Sequence, residues 1–96
     1  MTASHLQHKF PLGQLVATPG ALTALEEAGQ SPSAFLMRHV LGDWGETCDD
    51  DQRLNDEALV NGSQILSAYR TLRNVRIWII TEADRSSTCI LLPEEY

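Results

Sequence analysis

The hydrophobic pattern of this chain changes once, near residue 63, and that change limits the folds it can adopt. Before this point, apolar residues recur at helical spacing between helix start and stop signals, whereas after it they alternate with a period of two. The 96 residues have room for one hydrophobic core. A run of helices followed by a run of strands around one core predicts a single α+β domain.

Two proline-containing signals mark the first two helices. Thr18-Pro19 and Ser31-Pro32 each place a hydroxyl side chain at the N-cap and a proline at the first helical position, where its missing N–H costs nothing. Gly29 and Gly42 are the predicted stops, because glycine readily takes the left-handed conformation that ends a helix. One face of the second helix carries Phe35, Leu36, His39 and Val40.

The third predicted helix begins in an acidic segment and ends at Asn61-Gly62. Asp49 with Gln52, or Thr47 with Asp50, fits a capping box at its start. The formal net charge is −6, from 13 acidic and 7 basic residues. Residues 43–57 hold seven acids and one base, so this segment carries the whole imbalance of six. An acidic segment of this kind disfavours phosphate binding by the chain as a whole.

The alternating half of the chain predicts three strands joined by short turns, over residues 65–69, 75–80 and 88–92. Short connections favour an antiparallel meander. A short apolar run over 12–17 predicts one more strand before the helices. The predicted order is therefore β-α-α-α-β-β-β, with three helices on one face of an antiparallel sheet of three or four strands. The domain is predicted over residues 11–96, after a flexible tail at 1–10, and the place of the first strand in the sheet stays open.

The chain shows no pattern of export or membrane insertion. No basic segment followed by an apolar run opens the sequence. The longest strongly apolar stretch, 75–80, is far shorter than the roughly 20 residues of a membrane helix. Cys48 and Cys89 lie apart without a CxxC context. We therefore expect a cytoplasmic protein with free thiols.

Motifs for metals, nucleotides and nucleophilic catalysis do not occur in the sequence. An EF-hand loop counted from Asp49 would place Arg53 and Leu54 at its fifth and sixth positions, where an oxygen ligand and glycine are needed. His39 has no cysteine at the spacing of a zinc site. The sequence contains no GxSxG, P-loop or GxGxxG motif. We therefore assign no catalytic residue, metal or cofactor.

Polar residues nevertheless gather in the turn at 38–46 and in the loop at 82–88. The candidate binding residues are Arg38, His39, Asp43, Trp44, Trp78, Glu82, Asp84 and Arg85. A His39–Asp43 pair at a helix end is one interpretation, and a structural histidine is the other. The composition of the 82–88 loop also suits an ordinary hairpin turn. A small hydrolase or metal-dependent enzyme would require His39, Asp43, Glu82 and Asp84 to meet in one cleft.

Two groups of residues predict surfaces that bind macromolecules. Tyr69, Trp78 and Trp44 form an exposed aromatic face if the helices leave one side of the sheet uncovered, and such a face marks a partner or a weak homodimer. Arg70, Arg73 and Arg76 at one hairpin, with Arg38, form a basic patch for DNA. In the helix pair at 19–41, the second helix lacks the polar and basic first turn of a recognition helix, which disfavours a helix-turn-helix DNA-binding motif.

Three stretches resemble a family of small bacterial proteins of unknown function that occur on plasmids and integrative elements. They read FPLGQLVATPGAL (10–22), RHVLGDWGE (38–46) and WIITEADRSSTCILLPEEY (78–96). The resemblance covers residues 10–96. Some members carry the label of a type I restriction endonuclease subunit M, but the Asn-Pro-Pro-aromatic motif of a DNA methyltransferase is missing from this sequence. The resemblance implies a mobile genetic element as the setting and implies no catalytic residue.

The expected function is that of a non-enzymatic accessory protein of a mobile element that binds another protein. Direct DNA binding through Arg70, Arg73 and Arg76 is the first alternative. Catalysis in a His39, Asp43, Glu82 and Asp84 cleft is the second.

Overall fold

The strands form one mixed sheet in the order β1-β4-β3-β2. In the computed structural model, which describes residues 8–96, the strands are Gln14–Ala17 (β1), Ile65–Arg70 (β2), Arg76–Thr81 (β3) and Ser87–Leu91 (β4). The predicted antiparallel meander of β2, β3 and β4 is confirmed. The first strand, whose place the sequence left open, pairs parallel with β4 at the edge of the sheet.

Three helices separate β1 from the meander, as the predicted β-α-α-α-β-β-β order requires. They cover Pro19–Ala28 (α1), Pro32–Val40 (α2) and Asp49–Asn61 (α3), and a short 3-10 turn follows β4 at Pro93–Glu95. No helix among residues 8–96 has the length and apolar character needed to cross a membrane.

The helix starts differ in how they are capped. The Thr18 hydroxyl accepts a hydrogen bond from the Ala21 N–H, and Ser31 caps α2 in the same way, as predicted. Helix α3 has Cys48 at its N-cap and no side-chain capping bond, so the predicted capping boxes at 47–50 and 49–52 are wrong. The Gln52 side chain instead donates to the Thr47 carbonyl. The three aspartates of this first turn are therefore stabilised by the helix dipole and by solvent, without a side-chain capping bond.

The core lies between the helices and one face of the sheet. Alternate residues of the strands point to this face, and they meet side chains of α1 and α2. This buried cluster contains Ala21, Leu25, Phe35, Tyr69, Ile77, Ile79 and Ile90. A second cluster, under α3 and the turn before it, contains Phe10, Trp44, Ala58 and Ile65.

The domain begins before residue 11. Phe10 is buried, its ring lies 5.1 Å from that of His39, and the Lys9 N–H donates to the Val40 carbonyl. The predicted tail at 1–10 is therefore too long at its C-terminal end, because an aromatic residue fills the gap between α2 and Trp44. The remainder of that prediction, at 1–7, lies outside the described residues.

The β2 edge of the sheet is closed by two neighbouring segments. The Asn55 side chain in α3 donates to the Leu66 carbonyl (2.7 Å) and accepts from the Leu66 N–H (3.1 Å). Beyond it, Gly45 forms a parallel bridge with Ala68. Gly45 has a φ of 73°, and a Cβ there would overlap the Ala68 carbonyl oxygen, so only glycine fits this contact.

Candidate functional site

A chain of buried polar side chains crosses the core at His39. This residue is 0% exposed. Its Nδ1 lies 2.6 Å from the Ser67 hydroxyl, and its Nε2 lies 2.9 Å from the Thr81 hydroxyl. The Thr81 hydroxyl lies 2.7 Å from the Thr88 hydroxyl, and the Thr88 hydroxyl lies 2.7 Å from the Leu12 carbonyl oxygen. Strands β2, β3 and β4 thus each contribute a hydroxyl to this chain.

The last member of the chain fixes the direction of the hydrogen bonds between Leu12 and the Nε2 atom of His39. A carbonyl oxygen only accepts, so Thr88 donates to Leu12 and accepts from Thr81. Thr81 then accepts from the Nε2–H of His39. Burial lowers the pKa of His39 to about 4, so the imidazole is neutral near pH 7, and its unprotonated Nδ1 accepts from the Ser67 hydroxyl.

A serine that donates to a histidine nitrogen has the arrangement of a nucleophile and its base. Here Ser67 and His39 are both fully buried, and the second imidazole nitrogen is occupied by Thr81. No substrate reaches the serine oxygen in this structure. The pair joins α2 to the sheet, so His39 has a structural role here, which was one of the two interpretations of this residue.

The turn at 38–46 is held by its own polar residues. The Arg38 guanidinium contacts the Asp43 carboxylate at 2.7 Å and lies 4.5 Å from the centre of the Tyr69 ring. The hydrogen bond from Arg38 lowers the pKa of Asp43. Asp43 also accepts from the Gly45 N–H, and its carbonyl accepts from the Tyr69 hydroxyl. Asp43 therefore pairs with Arg38, and the predicted pair of His39 with Asp43 does not form.

Trp44 closes the core from this turn. Its side chain is buried, and its indole N–H donates to the Asp56 carboxylate at 2.9 Å. Trp44 is one of the candidate binding residues, but its apolar surface is already covered by the protein.

Arg85 in the 82–88 loop also has a structural role. Its guanidinium donates to the carbonyls of Ala58 at 2.9 Å and Ser63 at 2.6 Å, at the C-terminal end of α3. Cations are favoured at this end of a helix dipole. In the same loop Asp84 accepts from the Ser86 N–H at 2.9 Å. Hydrogen bonds from Ser86 lower the pKa of Asp84, and Glu82 is exposed.

The four residues of the enzyme hypothesis do not share a cleft. Asp43 lies beside Tyr69, which pairs with Ile77 near the start of β3. Glu82 follows the end of β3, five residues further on, which corresponds to about 17 Å of extended strand. His39 is buried between them. Within residues 8–96, no group of three or more acidic, histidine or cysteine side chains is placed to hold a metal ion.

The face of the sheet opposite the helices carries a row of apolar side chains. We call this surface the outer face. The strand register aligns Val16, Cys89, Ile80 and Leu66 across all four strands. A second row contains Leu91, Trp78 and Ala68. Val16 is 43% exposed, and Leu66, Cys89 and Trp78 are half-buried, whereas Ile80, Leu91 and Ala68 are buried.

Two features border the outer face. At the β2 end, a depression of about 210 Å³ is lined by Asp51, Leu54, Asn55, Gln64 and Leu66. Near the C-terminus, the Tyr96 ring packs edge-on against Trp78, with ring centres 5.8 Å apart. Of the three aromatic residues predicted to form this surface, only Trp78 lies on it. Tyr69 and Trp44 are buried on the helix side.

The arginines of the β2–β3 hairpin differ in whether a carboxylate compensates their charge. Arg70 contacts Glu46 at 3.1 Å and donates to the Asn74 side chain, so its charge is compensated. Arg73 and Arg76 are exposed and form no salt bridge with other residues in the described range. Arg38, the fourth arginine of the predicted patch, is paired with Asp43.

Sequence reasoning did not identify Asn55, Ser67, Thr81 or Thr88. Each carried a signal that was available. Asn55 stands in a helix beside Leu54, close to its narrow apolar face. The three hydroxyl residues stand at positions of their strands that alternation assigns to the core. A polar residue at a core-facing position indicates a buried hydrogen bond.

Comparison of the chain with protein-family models, curated proteins and solved structures gives no match.

Proposed function

We propose that the protein is a non-enzymatic module that binds another protein through the outer face of its sheet. The observation that carries this proposal is the apolar row across all four strands, which runs from Val16 to Leu66 on the side away from the helices. Apolar patches bordered by polar residues mark sites of protein association. The polar candidates, by contrast, are largely engaged in hydrogen bonds within the domain.

The border of the outer face limits the chemistry of the partner. Leu54 is 55% exposed and extends the apolar row toward α3, where Asp51 lines the same depression. A partner that places apolar side chains on the row and a basic group beside Asp51 matches both features. The proposal includes a mobile genetic element as the setting, because residues 10–96 resemble a family that occurs on such elements. We therefore look for the partner in a host that carries one.

The test is photo-cross-linking in a host that carries such an element. We expect a photoreactive side chain at position 54 to form a covalent adduct with one host or element protein. The matched control is the same side chain at Met37, which is 46% exposed on α2. An adduct at 54 that is missing at 37 supports binding at the outer face. Equal adducts at both positions, or none at 54, would contradict it.

A second candidate function, direct DNA binding, is favoured by Arg73 and Arg76. Both are exposed, and neither is compensated by a carboxylate among the described residues. Two phosphate contacts predict a slope of about −1.8 for the logarithm of the binding constant against that of salt concentration. The measurement is a gel shift with duplex DNA at low salt.

The expected result is a shift that R73A/R76A abolishes. R53A is the matched control, because Arg53 is an exposed arginine on acidic α3. Absence of a shift at low salt eliminates this candidate, and equal loss with R53A would make the effect non-specific.

A further inference from the structure

Strand β1 leaves one edge of the sheet open. It lies at the end of the strand order, and no described strand pairs with its other side. The Gln14 N–H donates to Ser86 and the Thr18 N–H to Ile90 in the direction of β4. Backbone groups of a strand alternate in direction. Those of Leu15 and Ala17 therefore point away from the sheet.

This edge is short, but its side chains do not prevent edge pairing. The four-residue strand Gln-Leu-Val-Ala contains no charge and no proline, which are two of the common devices against association. Leu15 is 53% exposed and Val16 43%. The other edge is different, because Asn55 and the Gly45 bridge already occupy the backbone groups of β2.

We propose that two copies of the chain associate through β1, antiparallel about a two-fold axis at Val16. In this register Leu15 pairs with Ala17 of the second copy, and Ala17 with Leu15. The outward N–H and C=O groups of both residues then form hydrogen bonds between the copies. The two Val16 side chains meet directly on the outer face. The two four-stranded sheets become one continuous sheet.

The charge distribution favours a second copy at this edge. The acidic residues of α3 lie beside β2, three strands away from β1. Association through β1 places the two acidic helices at opposite ends of the joined sheet. Seven strand spacings of about 4.8 Å separate the two β2 strands. This distance is several times the Debye length of about 8 Å at physiological salt, so repulsion between the helices is screened.

The first test is the oligomeric state of the full chain by sedimentation velocity across a range of protein concentrations. The wild type is expected to reach twice the monomer mass. In V16K, two ammonium groups face each other on the axis, and we expect the dissociation constant to rise at least about tenfold. The matched control is V60K, since Val60 is 91% exposed on α3 and far from β1. A wild type that stays monomeric, or equal weakening in V60K, would overturn the proposal.

The second test determines the register in which the two β1 strands pair. Residues that face each other without exchanging backbone hydrogen bonds have Cα atoms about 4.5 Å apart, which suits a disulfide. In a C48S/C89S background, which removes both native thiols, including the one that pairs with Val16 across β1 and β4, V16C should cross-link into a covalent dimer with oxidised glutathione. L15C, opposite Ala17 of the second copy, should not. Cross-linking of L15C in preference to V16C would rule out this register.

Dimerisation through β1 goes beyond the proposed protein binding and does not depend on it. The outer face stays open in the dimer, which presents two copies of it side by side. V16K therefore tests association of copies by mass, while the adduct at position 54 tests the partner. Each proposal can therefore be overturned while the other stands.

Discussion

At the scale of single residues, His39 shows how a titratable group can be structural. Both imidazole nitrogens are committed, one as donor to Thr81 and one as acceptor from Ser67. Protonation would place a positive charge on a ring that is 0% exposed. The cost of charging the ring inside the core is what lowers its pKa to about 4, from an ordinary value of 6.5.

The pH dependence of stability follows from this shift. The unfolded chain binds a proton at His39 near pH 6.5, and the folded chain does so only near pH 4. The folded state is therefore fully stabilised above pH 6.5 and loses stability as the pH falls from there toward 4. The full shift corresponds to about 3 kcal/mol. We expect about 2 kcal/mol of it to be lost at pH 4.5.

Urea denaturation at pH 7 and pH 4.5 measures this loss. H39Q replaces the imidazole by a neutral amide, so its free energy of unfolding should fall less between the two pH values than that of the wild type. H8Q, at an exposed histidine, should follow the wild type. Parallel curves for wild type and H39Q would contradict the assignment.

At the scale of elements, α3 is joined to the sheet by a side chain that imitates a strand. The amide of Asn55 provides the acceptor and the donor that a neighbouring strand would offer to Leu66. Arg85 then binds the carbonyls at the other end of the helix. These contacts explain why a helix with a narrow apolar face has a fixed position.

Replacing Asn55 should release this edge. N55L keeps the size of the side chain but leaves the N–H and C=O of Leu66 without partners. Each unpaired buried group costs about 1–3 kcal/mol, so we expect the free energy of unfolding to fall by about 2–4 kcal/mol. Amide hydrogen exchange should accelerate at Leu66 more than at Ala68, whose N–H is bonded to the Trp44 carbonyl. L54A, at the exposed neighbour, is the control. Unchanged exchange at Leu66 would show that the amide does not protect this edge.

The elements themselves could be predicted from local sequence, because their signals are local. Thr18-Pro19 and Ser31-Pro32 start helices at the predicted residues, and alternation locates β2, β3 and β4 to within a residue. Long-range partners could not be predicted in the same way. Nothing near β1 indicates that it pairs with β4, and nothing near Asn55 indicates that its partner is the Leu66 backbone.

At the scale of the whole molecule, the acidic helix and the open edge of the sheet lie at opposite ends. The acids of α3 flank the β2 edge, and the uncharged β1 edge lies across the sheet. The sequence predicted where the charge lies along the chain. It did not predict that this charge would stand at one end of the sheet, because that depends on the order of the strands.

The parallel pairing of β1 with β4 also has a consequence during synthesis. Val16 pairs with Cys89, and the difference between these numbers is 73 residues. A chain emerging from the ribosome therefore has its first strand and helices outside long before their partner strand exists. Contacts this distant in sequence form late and slowly. Under the proposed association through β1, two nascent chains on one messenger can therefore pair through this strand before the β4 strand of either chain has been made.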